Sequence, residues 1–238
     1  MSILIDAGTT FIVQGITGRE AVNLTRECLD YGSKIIGGVT PGRRGREVHG
    51  VPVFDSVAQA VERHGAPIKG SVVTVPPAFT RDAVFEAVEN GIEIVVIVTE
   101  RIPRADVAQM VELAELHDAR IIGPNCLGII VPDVIKMGGI GGPAKDAAKA
   151  YSQGPVGVIS RSGGMTTEMS STLTAAGLGQ STAVSIGGDA IIGSTYAELM
   201  PLFEADDQTE AIVIYTEPGG RMEAELARNI QELSLIHI

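Results

Sequence analysis

Tryptophan, cysteine and long apolar runs are scarce in this 238-residue sequence. It has no Trp, 4% aromatic residues and two cysteines, Cys28 and Cys126. Two cysteines exclude a disulfide framework and a cysteine-rich zinc site. The longest apolar runs, such as Ile92–Val98 and Ile121–Val131, are interrupted well short of the roughly 18 residues that a membrane-spanning helix needs. We therefore expect no membrane contact.

Positive charge is also scarce. The chain has 18 Lys and Arg against 29 Asp and Glu, a net charge of −11. This balance argues against nucleic-acid binding through bulk positive charge. The chain opens with the short apolar stretch Met1–Asp6 rather than a basic-then-apolar leader, so we expect a cytoplasmic protein. The histidines His49, His64, His117 and His237 show no metal-ligand spacing, so we expect no metal site.

Glycine and a regular alternation of segments are abundant. Short β-branched runs alternate with amphipathic segments, which is typical of βαβ units around a parallel sheet. The predicted strands are Phe11–Gln14, Lys34–Gly37, Ser71–Val75, Glu93–Val98 and Arg120–Ile122. The helices predicted between them are Arg19–Tyr31, Ser56–Arg63, Phe79–Asn90 and Arg104–His117. Residues 1–135 are thus predicted to form an α/β domain with a Rossmann-like parallel sheet.

The composition changes after residue 135. Glycine and proline are frequent in residues 136–155, which predicts a linker over the surface. The βαβ pattern resumes in residues 156–238. Its predicted strands are Val156–Ser160, Thr182–Ile186 and Ala211–Tyr215, and its predicted helices are Met165–Ala176, Thr195–Glu204 and Met222–Glu232. Three strands are few for a parallel sheet, so we expect this second domain to be truncated.

The first predicted strand runs into Gly15-Ile16-Thr17-Gly18 and then a helix. Glycines let the backbone approach a phosphate, and a helix N-terminus offers unpaired N–H groups and a partial positive charge. Thr17 adds a hydroxyl donor. Because the full G-x-G-x-x-G motif is absent, a tight turn without a ligand is the alternative.

The second predicted strand lacks the acidic residue that usually holds the ribose of NAD. It leads instead into a loop with Arg43, Arg44 and Arg46. Arginine binds phosphate through its planar fork, so this loop predicts an anion site. A solvated loop is the alternative. A nucleotide with an extra phosphate, either coenzyme A (CoA) or NADP, suits these residues better than NAD.

Two further strand ends carry chemical groups. Glu100, after Val98 and Thr99, can accept hydrogen bonds from an adenine amine or a ribose hydroxyl, or it caps a helix. Cys126 has no obvious base nearby, so we interpret it as a packed, inert thiol rather than a catalytic one.

The run Ser160-Arg161-Ser162-Gly163-Gly164 repeats the anion-binding pattern between a strand and a helix. It lacks the Walker lysine and is not an ATP loop. We predict a phosphate or phosphoryl group at this helix end, with a capped helix and no ligand as the alternative.

Together these motifs resemble the α subunits of the succinate–CoA ligase (succinyl-CoA synthetase) family. The segments that carry the resemblance span nearly the whole chain in family order: Met1–Asp6, Gln14–Gly18, Gly37–Gly42, Gly123–Cys126, Ser160–Gly163, Gly187–Asp189, Glu217 and Gly219–Gly220. The resemblance implies a Rossmann-like CoA-binding domain followed by a flavodoxin-like ligase domain. It also implies a β-subunit partner with an ATP-grasp site for ATP or GTP with Mg, and a small carboxylic acid as substrate.

The implied reaction joins succinate to CoA through succinyl phosphate and a phosphorylated histidine. By position, the CoA contacts implied are Thr17, Gly18, Arg19, Glu20, Arg43, Val98, Thr99 and Glu100. Ser160, Arg161, Ser162 and Gly163 would open the helix that stabilises phosphohistidine. Glu217 would hydrogen-bond the other imidazole nitrogen, which fixes the tautomer and raises basicity.

Three departures from the family pattern stand out. The family's phosphorylated histidine lies in a Gly-His-Ala-Gly loop beyond the last predicted helix; this sequence has no such loop, and His237 lacks those neighbours. We therefore expect CoA binding without turnover by the chain alone. Thr167 stands where the family has a Tyr that contacts substrate, and Gly164-Met165-Thr166 is similar to citrate-activating relatives.

A citrate- or malate-type CoA ligase of the same superfamily is therefore an alternative. Two other classes stay open as well. One is an NADP-binding Rossmann oxidoreductase, and the other is a CoA-binding module without catalysis.

Overall fold

The computed structural model describes residues 2–217 and 221–231. Within them the strands are β1 (Thr10–Gln14), β2 (Lys34–Val39), β3 (Glu47–Val48), β4 (Val51–Phe54), β5 (Gly70–Val73), β6 (Ile94–Ile97), β7 (Arg120–Ile122), β8 (Gly128–Val131), β9 (Ile135–Met137), β10 (Gln153–Ser160), β11 (Gln180–Ser185) and β12 (Ala211–Tyr215). The helices are α1 (Arg19–Asp30), α2 (Val57–His64), α3 (Pro77–Glu89), α4 (Arg104–Leu116), α5 (Ala144–Ala150), α6 (Gly163–Ala175), α7 (Tyr196–Glu204) and α8 (Met222–Ile230).

The first sheet has the strand order β3-β4-β2-β1-β5-β6-β7. All its neighbours pair in parallel except β3 and β4, which are antiparallel. The chain leaves β1 toward β2 on one side and returns to β5 on the other. This is the doubly wound arrangement, which binds ligands where the strand order reverses. Here that point lies between β1 and β5.

Both faces of the first sheet are covered, as its continuous apolar strands require. Phe11, Ile12 and Val13 of β1 are fully buried. Because side chains alternate across a strand, Phe11 and Val13 pack in one hydrophobic cluster with Leu24 of α1, and Ile12 packs in another with Val84 of α3. The α1 cluster also includes residues of the second sheet, so the two sheets share one core.

The second sheet has the order β12-β10-β11-β8-β9. Strands β10, β11 and β12 are parallel, and α6 follows β10 and packs on β10 and β11. Strands β8 and β9 are antiparallel additions beside β11. The parallel strands begin close to their predicted starts, except that β10 starts at Gln153. No helix in residues 2–217 and 221–231 is long and apolar enough to cross a membrane.

The segment predicted as a linker, residues 136–155, is built into the second sheet, so that prediction needs correction. It contains most of β9, all of α5 and the start of β10, and Lys136 is fully buried. Its glycines permit close backbone contact: a Cβ on Gly138 would lie 2.4 Å from the carbonyl oxygen of Leu127, and one on Gly154 would lie 1.8 Å from that of Leu178. Residues 128–135, expected in the first domain, also pair with the second sheet.

One other segment departs from expectation. Strands β3 and β4 occupy a stretch for which no strand was predicted, and β4 pairs with β2. A two-residue strand is too short to show periodicity, so only its pairing reveals it. The prediction for Leu233–Ile238, that these residues do not resemble the family, lies outside the described residues.

Candidate functional site

A cavity of about 670 Å³ opens at the point where the strand order of the first sheet reverses. We call it the switch-point cavity. Its lining comes from the ends of β1, β2 and β5 and from the starts of α1 and α3: Gln14, Gly15, Thr17, Gly18, Arg19, Glu20, Ala21, Val39, Thr40, Pro41, Thr74, Val75, Pro76, Phe79, Asp82, Ala83 and Glu86. Its volume is in the range of small-molecule and cofactor sites.

Gln14 fixes the floor of the switch-point cavity. Its side chain is almost fully buried; Nε2 donates to the carbonyl of Ala83 over 2.8 Å, and Oε1 accepts from the Ser71 hydroxyl over 2.8 Å. The Thr74 hydroxyl donates to the Gln14 carbonyl over 2.8 Å. A buried amide with its partners satisfied holds β1, β5 and α3 in fixed relation.

The N-terminus of α1 faces the switch-point cavity without a side-chain cap. Gly18 is the N-cap residue, with extended backbone. The first-turn amides of a helix have no partner inside the helix, so those of α1 are available to a ligand. Gly15 has φ of +84°, and a Cβ there would lie 2.9 Å from Thr74 Oγ1 and 3.1 Å from the Val75 nitrogen. Glycine at position 15 therefore keeps the approach to α1 open.

Four of the predicted CoA contacts, Thr17, Gly18, Arg19 and Glu20, line the switch-point cavity together. Arg43 is exposed on the loop after β2, beyond Thr40 and Pro41. The amides of Arg43 and Arg44 both donate to Asp55 Oδ1 over 3.2 Å. That carboxylate holds the arginine loop at the rim while the guanidinium groups remain in solvent.

The other three predicted CoA contacts, Val98, Thr99 and Glu100, are not among the residues that line the cavity. The Thr99 hydroxyl donates to the carbonyl of Val75, a lining residue, over 2.7 Å. Val98 continues the β6 pairing by donating its amide to the Val73 carbonyl. Glu100 is exposed and lies 3.5 Å from Arg101 Nε. Thr99 thus acts on the cavity through Val75, and α4 starts with Pro103 as its N-cap, not Glu100.

Sequence reasoning missed the contribution of α3. Phe79, Asp82, Ala83 and Glu86 line the switch-point cavity, and their spacing of three and four residues puts them on one helix face. Phe79 is 63% exposed at the cavity mouth. The spacing was visible in the sequence, but only the packing of α3 beside β5 shows that this face meets the ends of β1 and β2.

The second predicted anion site, residues Ser160–Gly164, is here called the α6 turn. Ser162 caps α6, because its hydroxyl accepts from the Met165 amide over 3.4 Å. The Ser160 hydroxyl donates to the Ser162 carbonyl and accepts from the Ser162 amide, and the Thr166 hydroxyl also donates to the Ser162 carbonyl. The α6 turn is held largely by its own hydroxyl groups.

Arg161 lies inside the protein, with only 5% of its surface exposed. Nη2 donates to the carbonyls of Gly188 and Asp189 over 3.0 and 2.8 Å. Nε has no hydrogen-bond partner among the residues that the structure describes. Arg161 therefore anchors the loop after β11, whereas the sequence suggested a residue that faces a ligand.

Acidic groups gather near Arg161 at the end of β12. The Tyr196 hydroxyl donates to the Tyr215 carbonyl over 3.0 Å. Burial raises the pKa of Tyr196, the charge of Arg161 opposes that rise, and Glu223 and Glu217 add to it. The Arg161 amide donates to the Tyr215 carbonyl over 3.2 Å, so the chain that leads from β12 to Glu217 runs beside the α6 turn. Sequence reasoning named Glu217 but not Tyr196 or Glu223.

Thr167 lies one turn into α6, and its Oγ1 is 2.9 Å from the Tyr151 hydroxyl. Tyr151 follows α5 and is fully buried, and burial raises its pKa to about 12. The Thr167 hydroxyl therefore has a protein partner in addition to any ligand.

Both cysteines are buried and free. Cys28 Sγ lies 3.3 Å from the Gly138 carbonyl, and Cys126 Sγ lies 3.3 Å from that of Ile97. Burial raises the pKa of Cys28 to about 11 and that of Cys126 to about 12. Because the thiolate is the reactive form, this environment agrees with packed, inert thiols.

The described histidines lie away from both candidate sites. His49 Nε2 is 3.0 Å from the Val22 carbonyl, and His117 Nδ1 is 2.9 Å from that of Leu113. His64 ends α2, and His237 lies outside the described residues. Residues 2–217 and 221–231 contain no group of three or more His, Cys, Asp or Glu side chains placed to hold a metal ion.

Comparison with protein families gives two matches, one to most strands of the first sheet and one to the parallel strands of the second. Residues 6–101 match the CoA binding domain, and residues 153–235 match the succinyl-CoA ligase like flavodoxin domain. The first match contains the switch-point cavity, and the second contains the α6 turn. The class defined is therefore a CoA-ligase subunit with a CoA-binding domain followed by a flavodoxin-like ligase domain.

Named relatives narrow this class. Succinate–CoA ligase (ADP-forming) subunit alpha 2 of Archaeoglobus fulgidus is 45% identical over 234 residues, which cover 98% of this chain and 79% of the relative. The alpha subunit of the Aquifex aeolicus enzyme is 42% identical over 234 residues, covering 98% and 74%. The chain belongs to the succinate–CoA ligase α-subunit family.

Solved structures share the fold. ATP citrate lyase from Methanothrix soehngenii, in complex with citrate and coenzyme A, matches with a TM-score of 0.89 and 23% identity over 97% of this chain and 39% of that chain. The dinucleotide-forming acetyl-coenzyme A synthetase 1 of Ca. Korarchaeum cryptofilum matches with a TM-score of 0.72 and 21% identity over 94% and 48%.

Proposed function

We propose that this chain acts as the α subunit of a succinate–CoA ligase. The reaction converts succinate, CoA and ATP or GTP into succinyl-CoA, ADP or GDP and phosphate, through succinyl phosphate and a phosphohistidine. The observation that carries the proposal is the switch-point cavity, which opens onto the uncapped N-terminus of α1 within a CoA binding domain.

The switch-point cavity and the arginine loop at its rim fit three parts of CoA. The first turn of α1, with Thr17, offers amide and hydroxyl donors to the pyrophosphate. Val39, Pro41 and Val75 supply apolar surface for the pantetheine arm. Arg43, with its neighbours on the exposed rim loop, supplies positive charge for the remaining phosphate.

The α6 turn fits the phosphoryl step. The amides of Gly163 and Gly164 and the positive end of α6 favour a phosphoryl group. The Ser162 hydroxyl accepts from the Met165 amide and keeps its own hydrogen to donate, while Ser160 holds the turn in shape. Glu217 is the carboxylate that fixes the imidazole of the phosphohistidine. Arg161 supports this step by anchoring the neighbouring loop. We assign no histidine of the described residues to the step.

The nucleotide is assigned to a partner. We infer a β subunit with an ATP-grasp site that binds ATP or GTP together with Mg. We place the complex in the cytoplasm, where two buried, unpaired thiols are stable because disulfides seldom persist there.

Succinate is the preferred acid because the named relatives are succinate–CoA ligases. A citrate- or malate-type ligase is the second candidate, favoured by Thr167 at the position of a substrate-contacting Tyr. Titration of the complex with a β subunit using succinyl-CoA and citryl-CoA in turn distinguishes the two, because tighter binding of citryl-CoA would reject succinate.

Calorimetric titration with CoA and with NADPH tests the nucleotide assignment. We expect CoA to bind and NADPH to fail. The variant Arg43→Glu removes one proposed contact with a CoA phosphate. It should weaken CoA binding by about 1–3 kcal/mol, the scale of a hydrogen bond to a charged group. The matched control is Arg63→Glu, at the exposed far end of α2. Equal CoA affinity in the two variants would remove Arg43 from the site.

A further inference from the structure

Two loops from different sheets meet between the switch-point cavity and the α6 turn. Residues 123–125 follow β7 in the first sheet, and residues 186–189 follow β11 in the second. A Cβ on Gly187 would lie 2.1 Å from the carbonyl oxygen of Pro124. The Gly193 amide donates to the Gly123 carbonyl over 2.8 Å. With backbone packed this closely, displacement of one loop must displace the other.

Asn125 is the residue through which the hydrogen bonds between these loops run. Its Nδ2 donates to Asp189 Oδ1 over 2.9 Å, and its carbonyl accepts from the Gly188 amide over 3.3 Å. Its own amide donates to the Thr99 carbonyl over 3.0 Å. Its φ of +56° is left-handed, a conformation that Asn adopts more readily than most residues. One residue thus bonds to both sheets.

The path from Asn125 reaches the switch-point cavity in one direction. The Thr99 hydroxyl donates to the carbonyl of Val75 over 2.7 Å, and Val75 lines the cavity. A ligand that presses on Val75 therefore acts on the backbone to which Asn125 is bonded.

In the other direction the path reaches the α6 turn. Arg161, the residue before the N-cap of α6, is bonded through its guanidinium to the carbonyls of Gly188 and Asp189. Arg161 is buried, so a displacement of the loop would leave its guanidinium inside the protein without these two acceptors, which is costly for a charged donor. The position of residues 186–189 therefore constrains the start of α6.

We propose that Asn125 is a positioning residue that couples the two sites. Occupation of the switch-point cavity orders Val75 and Thr99, and Asn125 passes that order through Asp189 to Arg161 and the α6 turn. The inference rests on the proposed function in one respect, that CoA is the ligand of the cavity. Asn125 is not a lining residue of the cavity, so its side chain can be removed without touching the CoA contacts.

The variant Asn125→Gly isolates the side chain. Glycine keeps the left-handed backbone without strain and deletes only the amide that bonds Asp189. The matched control is Thr172→Ala, which deletes a hydroxyl that donates to the Glu168 carbonyl over 3.0 Å in the far half of α6.

Amide hydrogen exchange on the full chain measures the coupling, with and without CoA. Without ligand, Asn125→Gly should speed exchange at residues 186–189 and 162–166 by about tenfold, because local opening follows the loss of local bonds; Thr172→Ala should leave these rates unchanged. With CoA, the wild type should slow exchange at the same amides, and Asn125→Gly should bind CoA without that slowing. Wild-type rates in Asn125→Gly under both conditions would overturn the proposal.

A charge exchange separates positioning from general stability. Asn125→Asp faces the Asp189 carboxylate with a second one and should reproduce the fast exchange. The double variant Asn125→Asp with Asp189→Asn restores the bond with its direction reversed and should return exchange at 162–166 to the wild-type rate. Failure of the double variant to rescue would also overturn the proposal. Failure of CoA to bind the wild type would count against the proposed function alone, since the ligand-free rates still decide the coupling.

Discussion

The turns before α1 and before α6 each place a helix N-terminus at the carboxyl end of a central strand, but they differ in how that N-terminus is capped. The turn before α1 has glycine as its N-cap and opens on a large cavity. The α6 turn is capped by Ser162, and its hydroxyl groups are bonded to its own backbone. The same local pattern thus leaves the N-terminus of α1 open to a cavity and closes the N-terminus of α6 with the turn's own hydroxyl groups.

The two turns differ first in the burial of their arginines, and substitutions there should have the largest effect on stability. Arg161→Met deletes two hydrogen bonds from a charged donor to the carbonyls of Gly188 and Asp189, which should destabilise the chain by about 3 kcal/mol. Arg43→Met, on the exposed loop near α1, should change stability by less than about 0.5 kcal/mol. Urea unfolding of both variants measures this. Similar midpoints would mean that Arg161 is not an anchor.

Backbone conformation is the second respect. Gly15→Ala forces a side chain into φ of +84° against Thr74 and Val75, at about 1–3 kcal/mol, and should also weaken CoA binding. A Cβ at Gly163 meets only the Leu127 side chain, at 2.6 Å, and Ala favours the helix, so Gly163→Ala should cost about 1 kcal/mol or less. Thermal unfolding and CoA titration test the pair. A larger cost at Gly163 would reverse the comparison.

The two buried thiols lie outside both turns, and their titration has the smallest effect on stability near neutral pH, where it is absent, and appears only in alkali. Burial raises the pKa of Cys28 and Cys126 above that of an unfolded thiol. Their stabilisation is therefore complete below about pH 8.5 and is lost as pH rises toward the folded values, at up to about 1.4 kcal/mol per pH unit for each thiol. We expect a double variant, Cys28→Ser with Cys126→Ser, to lose less stability than the wild type between about pH 9 and 11. Parallel curves from urea unfolding at a series of pH values would contradict this.

Much of the first sheet could be predicted from the sequence, because long apolar strands and amphipathic helices carry clear periods. Helix α2 illustrates this: it was predicted over Ser56–Arg63 and spans Val57–His64, with Ser56 as its N-cap and Gly65, at φ of +70°, after its last residue. Strands β3, β8 and β9 have two to four residues, too few to show a period. Their existence depends on pairing with distant strands, which a single sequence does not reveal.

In the candidate sites too, the positions set by local structure could be predicted, and those set by long-range contacts could not. Thr17 and Gly18 were predictable because a local turn places them. The burial of Arg161 could not be predicted, since it depends on hydrogen bonds to a loop 27 and 28 residues away. The contact of Asn125 with Asp189 spans 64 residues. Interactions of that separation follow from the folded chain, not from a motif.

The buried strand β9 has a consequence for how the molecule comes apart. The Ser33 hydroxyl, just past α1, donates to the Lys136 carbonyl, and the Lys136 ammonium reaches the Gly142 carbonyl and lies 3.9 Å from Glu27 Oε2 of α1. Helix α1 therefore lines the cavity with its first turn, and its C-terminal end is bonded to β9 of the second sheet. Melting either half breaks the hydrogen bonds between Ser33 and Lys136 and opens the apolar core that the two sheets share, so we expect the two halves to unfold together.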